Sequence, residues 1–301
     1  MRAAVAVVLK VIALTVVLFI CFALAGGVVG LQDTSRAPEQ AGAAAGALLA
    51  VCFLFTIVLT HIILRSRWAG WRLIATAFFV FYGVMTFMAQ IESAVFITHL
   101  PSGTLPRLFL MGALIAAPFS VVAVLVLGKG KADTASAARN ARLVMPAGEW
   151  AWKLSAIAVA YVILYFTFGY FIAWQNPALR AYYGGIDEVG FFAHMNALLR
   201  ESSWLVPFQI LRAICWTVIA IPVIRMMKGK WPETALAIGS LFAVTNAQLL
   251  LPNPYMPETV RITHLFETAP SNFVFGLLIG WLLAQRHQFT KVPVAQDERA
   301  A

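Results

Sequence analysis

The chain has 301 residues, of which 61% are hydrophobic and only 12% charged. A soluble domain carries about 25% charged residues, so a water-soluble globule of this length is excluded. The net charge of +9 would suit nucleic acid if it formed one patch, but the basic residues are scattered between apolar runs.

Those runs are long and do not alternate in polarity, which excludes a β-barrel and reads as transmembrane helices. A span needs about 20 apolar residues at 1.5 Å each. Eight segments qualify, at roughly 8–30, 42–64, 72–97, 107–128, 151–174, 204–225, 233–251 and 271–286. The expected fold is all-α, a polytopic membrane bundle of about eight transmembrane helices. The three cysteines, Cys21, Cys52 and Cys215, lie inside these runs and read as small core residues, with no disulfide framework.

The first run begins after Arg2 and passes Ala23-Leu24-Ala25, a pattern similar to a secretory cleavage site. It continues to Leu31, so a retained first helix is expected. Between the second and third spans lie Arg65, Arg67 and Arg72. Lys129, Lys131, Arg139, Arg142 and Lys153 surround the gap between the fourth and fifth. Arg225, Lys228 and Lys230 follow the sixth, and Arg286, Lys291 and Arg299 follow the eighth. With Arg2 and Lys10 these make 16 of the 22 basic residues, against five on the other side (Arg36, Arg107, Arg180, Arg200 and Arg261). The positive-inside rule then puts both termini in the cytoplasm of a cell whose inner (plasma) membrane holds the chain. Membrane lipids, anionic headgroups among them, are the expected partner of this charge, and nucleic acid is not needed.

The polar stretch 129–149 divides the chain into a first four-helix half (1–128) and a second (150–286), followed by a tail, 287–301. Both linker and tail are expected to be cytoplasmic. In the outer loop before the sixth span, Phe191, Phe192, Met195, Leu198 and Leu199 recur at helical spacing. This predicts an amphipathic surface helix near 187–202, with His194, Asn196, Arg200 and Glu201 on its solvated face. The loop 252–270 carries Pro252, Pro254, Pro257 and Pro270 and is expected to be stiff. Ser271 or Asn272 is then the expected N-cap of the last span.

Two outer loops share the word Ile-Thr-His-Leu, at 97–100 and 262–265, each just before the last span of its half. One shared four-residue word in so apolar a chain is within chance, so a 4+4 duplication is open. The two histidines, His99 and His264, nevertheless mark equivalent positions in the topology.

Arg212 is the sharpest anomaly. It lies about 12 Å from the outer end of its span, where an arginine costs about 2.5–3.5 kcal/mol and needs a partner. Glu92, toward the outer end of the third span, is at a matching depth, with Gln90 beside it. Gln209 and Trp216, at i−3 and i+4 of Arg212, share its helix face. His264 and Glu267 form a His-x-x-Glu pair that faces one way on a helical turn, as proton transfer or a metal site requires. Metal is not the main expectation, but His99, His264 and Glu267 are weak candidate ligands. Asn246 and Gln248 add polar groups at the same outer end.

No phosphate-binding loop or other nucleotide-binding motif occurs, and any cofactor is left unspecified. Three functions remain. The first is a secondary transporter or permease-like protein with an outward-facing polar site, in which Arg212, Glu92, Gln90, Gln209 and Asn246 bind a small ionic substrate or form an ion pair. The second is a membrane-embedded enzyme acting on a lipid or lipid-linked substrate at the outer leaflet, with Glu92, His264 and Glu267 as acid–base groups. The third is a non-catalytic assembly or partner protein.

Overall fold

The computed structural model describes residues 2–31, 38–97, 100–131, 142–185 and 189–285. His99, residues 132–141 of the 129–149 linker and the 287–301 tail lie outside them. Eleven α-helices occur in order among the described residues. They are α1 (Arg2–Val29), α2 (Pro38–Leu64), α3 (Gly70–Tyr82), α4 (Met88–Phe96), α5 (Thr104–Val126), α6 (Ala147–Phe168), α7 (Pro177–Tyr182), α8 (Phe191–Glu201), α9 (Leu205–Met226), α10 (Trp231–Val244) and α11 (Glu258–Ala284). There is no strand among them, only the isolated bridges Ser66–Met227 and Asn253–Met256.

Seven continuous helical stretches are long and apolar enough to cross a membrane: Ala4–Val29, Glu39–Leu64, Gly70–Phe96, Thr104–Val126, Ala147–Ala173, Leu205–Met226 and Glu258–Ala284. The eighth expected span, 233–251, forms differently. Its α-helix, α10, has 14 residues and then tightens into a 3₁₀ segment, Thr245–Leu250. The expected loop 252–270 is largely helical instead. Pro257 is the N-cap of α11, Glu258 occupies the first turn, and Pro270 sits inside the helix. Proline has no N–H to donate but suits a helix start, so Pro257 marks the boundary and Pro270 does not. Ser271 and Asn272 are consequently buried within α11 and are not caps.

Two helices contain π turns that the sequence pattern does not announce. Gly83–Phe87 joins α3 to α4, and Gly169–Ala173 extends α6. Such one-residue insertions rotate the downstream side chains and often occur at functional sites. The first is held tightly. A Cβ on Gly112 of α5 would lie 2.0 Å from Thr86 Oγ1, and Gln248 Nε2 donates to the Met85 carbonyl at 2.9 Å.

Packing follows small residues where backbones must meet. Helices α10 and α11 make the most extensive contact in the molecule. A Cβ on Gly276 would lie 2.7 Å from the Gly239 Cα, and one on Gly280 would lie 2.2 Å from the Ala235 Cα. The spacing Gly276-x-x-x-Gly280 is the close-approach pattern of membrane helices, in which missing side chains permit backbone contact. Aromatic side chains fill the centre between α6, α9, α10 and α11, where Trp216 lies 4.3 Å from Phe242 and Tyr161 lies 4.6 Å from Phe275, centroid to centroid.

One end of the bundle, here the basic end, is latched. Arg67 N donates to the Met226 carbonyl at 2.7 Å and Lys228 N to the Arg65 carbonyl at 2.8 Å, tying the α2–α3 turn to the α9–α10 turn. Arg65 grips both carboxylate oxygens of Glu233, with Nη2 to Oε2 at 2.8 Å. Lys129 Nζ donates to the Ser66 carbonyl at 2.9 Å. Arg142 donates to Thr234 Oγ1 at 2.9 Å and to the Gly229 carbonyl at 2.6 Å.

Candidate functional site

The opposite end holds the buried Gln209, Arg212 and Glu267. Arg212 projects from α9, 4% exposed. Its Nη2 donates to Glu92 Oε2 at 2.7 Å, and its Nη1 donates to Gln209 Oε1 at 3.0 Å. Glu92 stands on α4, just past the first π turn, with its side chain 39% exposed. The pair therefore runs from a buried guanidinium to a half-open carboxylate. Tyr161 and Phe208 flank the guanidinium, with ring centroids 5.7 and 5.9 Å from Cζ. Such contacts favour a desolvated cation. Trp216 Nε1 donates to the Tyr161 hydroxyl at 3.3 Å and so holds that ring in place.

The second group lies on α11. His264 Nδ1 is 2.7 Å from Glu267 Oε2, and its Nε2 is 3.0 Å from the Tyr183 hydroxyl. A carboxylate accepting from Nδ1–H leaves Nε2 to accept from the phenol, so the three side chains form a hydrogen-bonded chain. Glu267 is buried, His264 partly so, and Tyr183 is at the rim. Burial pushes the Tyr183 phenol above its ordinary range, and Glu92, Tyr182 and Glu267 add to the effect. It is therefore a proton donor throughout the physiological range. Gly169, at the start of the second π turn, packs beside Glu267, where a Cβ would lie in ordinary contact 3.5 Å from Oε1.

Charge on each group bears on the other. Arg212 feels Glu92, Tyr161, Tyr165 and Glu267. Tyr165 feels Glu92, Glu267 and Arg212, and His264 feels Glu92. The three tyrosines, 161, 165 and 183, are the members that sequence reasoning missed. In an apolar run a tyrosine reads as another aromatic, and the i, i+4 spacing of Tyr161 and Tyr165 is the one signal that they share a face.

Other predicted residues sit elsewhere. Asn246 donates to the carbonyls of Phe242 and Ala243 in its own helix, at 3.2 and 3.3 Å, and so has the Arg212 site's end of the bundle but not its hydrogen bonds. Gln90 Oε1 is buried without a hydrogen-bond partner. His99 lies outside the described residues, and among those described no three His, Cys, Asp or Glu side chains cluster to hold a metal. His194 departs from the solvated face expected of it. Its ring packs on Trp174 at 4.6 Å and Tyr170 at 5.5 Å, and burial lowers its pKa. The helix carrying it, α8, has no buried residue, and Phe192 is 84% exposed.

No protein-family model matches the chain, and neither a curated protein nor a solved structure matches it. Seven apolar helices of spanning length make it a multi-pass helical membrane protein.

Proposed function

We propose that the chain is a secondary transporter, permease-like, in the inner (plasma) membrane, with eight spans in two four-span halves. Both termini lie in the cytoplasm and the Arg212–Glu92 site faces outward. Counting α10 with its 3₁₀ extension supports the eighth span, because 14 residues at 1.5 Å and six at 2.0 Å rise about 33 Å. The distribution of arginine and lysine supports the orientation. It also supports anionic lipid headgroups as partners of the basic end.

The observation that carries the reading is the contrast between the two ends. A buried arginine with a half-open carboxylate occupies one end, while the other is closed by the Ser66–Met227 bridge and the Arg65–Glu233 pair. Both closing contacts join α2 and its following turn to the α9–α10 region, so opening that end requires breaking them. A half-exposed ion pair is worth about 1 kcal/mol or less, which makes it a breakable gate. The π turns beside the site and the broken α10 add the irregular backbone that transporters place around a binding site.

The test is labelling from both faces. A cysteine at Phe208, partly exposed beside Arg212, with Cys21, Cys52 and Cys215 replaced by Ala, should react with an impermeant thiol reagent from the outer face. Glu233→Gln should shift reactivity toward the cytoplasmic face. Reactivity from the outer face alone, with and without the latch substitution, would sink the transport reading.

A second reading has one observation of its own. The Tyr183–His264–Glu267 chain is an acid–base arrangement at the membrane surface, suited to an enzyme acting on a lipid-linked substrate at the outer leaflet. For that reading, lipid extracts incubated with purified protein should show a new product that Glu267→Gln abolishes. An unchanged lipid profile with the folded wild type removes it.

A further inference from the structure

The guanidinium of Arg212 is used on only part of its donor edge. Nε–H and Nη2–H point side by side, the edge that a planar carboxylate meets with two parallel hydrogen bonds. Glu92 meets this edge with one oxygen, on Nη2. Arg212 Nε is buried without a hydrogen-bond partner, and so is Gln209 Nε2 one turn earlier on α9. Gln209 is 0% exposed and Arg212 4%. On the Nε–Nη2 edge itself, one donor of a nine-tenths-buried guanidinium is therefore unpartnered, and the resident carboxylate is singly bonded and 39% exposed. Buried donors left unmade are costly, which marks this edge as built for an acceptor.

We propose that the site takes the carboxylate of a small organic acid, which replaces Glu92 on the Nε–Nη2 edge of Arg212. This rests on the transport reading and names its substrate class. The incoming group is chemically what Arg212 already holds, with a second hydrogen bond added.

Charge balance dictates what travels with it. Among the described residues, the titratable groups whose charge bears on the pair are Tyr161 and Tyr165 from α6, Glu267 and His264 from α11, and Tyr183 after α7. Arg212 is the only arginine or lysine among them, and Glu92 and Glu267 already supply two carboxylates. A third anion in this partly desolvated space is tolerated only if one negative charge is neutralised. Glu92, released from Arg212 but still beside the incoming carboxylate, takes the proton. One proton and one carboxylate enter together, the charge of the site is unchanged, and no covalent bond forms or breaks.

Acetate is the probe, added to purified protein in carboxylate-free buffer. Wild type should gain thermal stability from acetate in a saturable way. Its apparent Kd should rise by up to about tenfold per pH unit as pH increases, since each binding event consumes a proton. In weakly buffered solution each acetate bound should remove one proton from the medium. Glu92→Gln, which mimics the protonated residue, should bind acetate with no such pH dependence, and Arg212→Lys, lacking the fork, should lose binding at least tenfold. Four results would each overturn the proposal: no acetate effect on wild type, acetate uptake without a proton, a pH dependence that survives in Glu92→Gln, or stabilisation by inorganic phosphate but not acetate. Alternating labelling at position 208 without acetate binding leaves transport standing and removes the carboxylate. Acetate binding with labelling from one face does the reverse.

Discussion

In carboxylate-free buffer, Glu92→Met is expected to destabilise the protein by about 2–3 kcal/mol, Arg212→Met by about 1 kcal/mol or less, and the double substitution by less than Glu92→Met alone. The asymmetry follows from where the two charges sit. Removing Glu92 leaves a guanidinium that is 4% exposed with only the Gln209 carbonyl oxygen beyond its aromatic neighbours. Stranding a fully buried charge costs about 3–5 kcal/mol. The figure is reduced here because the lost partner was 39% exposed and already shared its interaction with solvent. Removing Arg212 strands a carboxylate that can turn to water. Replacing both with apolar side chains of similar volume removes the stranded charge altogether. Thermal midpoints of the four proteins, converted with one common unfolding enthalpy, check the order. Equal losses for the two single variants would mean that Glu92 is as buried as Arg212 or that the pair is not formed.

Gly280→Leu is expected to be the most damaging single change, costing more than about 3 kcal/mol or preventing assembly. A Cβ at this position would lie 2.2 Å from the Ala235 Cα and 2.9 Å from its nitrogen. Backbone atoms cannot rotate away as a flexible side chain does, so α10 and α11 must separate along their whole contact. Gly276→Leu meets the Gly239 backbone at 2.7–2.8 Å and should act in the same direction. Gly46→Leu in α2 is the control, since nothing lies within 4 Å of the Cβ position, and its effect should stay within about 1 kcal/mol. Yield of monodisperse protein and the thermal midpoint measure all three. A Gly280→Leu protein as stable as wild type would contradict the α10–α11 packing described here.

The candidate site was partly legible in the chain and partly not. Arg212 in an apolar run requires a partner, because an unpaired charge inside a membrane is expensive, and depth alone points to Glu92. His264 and Glu267 announce themselves through i, i+3 spacing. Their union with Arg212 does not, since α4, α6, α9 and α11 come from distant parts of the sequence. Helix α11 illustrates the difficulty at closer range. Four prolines between 252 and 270 read as a loop, yet only Pro257 ends one, because neighbouring helices hold the chain helical through Pro270. His194 errs in the opposite direction. Its polarity predicts exposure, but Trp174 and Tyr170 offer an aromatic surface that a neutral imidazole can cover.

What the sequence determined by itself was the solvent and the element type. A chain with 12% charge and long apolar runs cannot satisfy its backbone in lipid except as helices. It also fixed which ionisable residues needed an explanation. The tertiary structure decided what those residues do to one another. It drew three tyrosines into the Arg212–Glu92 and His264–Glu267 groups, and it set a π turn just before Glu92. It also left the Nε edge of Arg212 without an acceptor. Helix periodicity is a local property and reports burial. The direction of a guanidinium fork depends on side chains from helices more than a hundred residues apart, and only the folded bundle places them together.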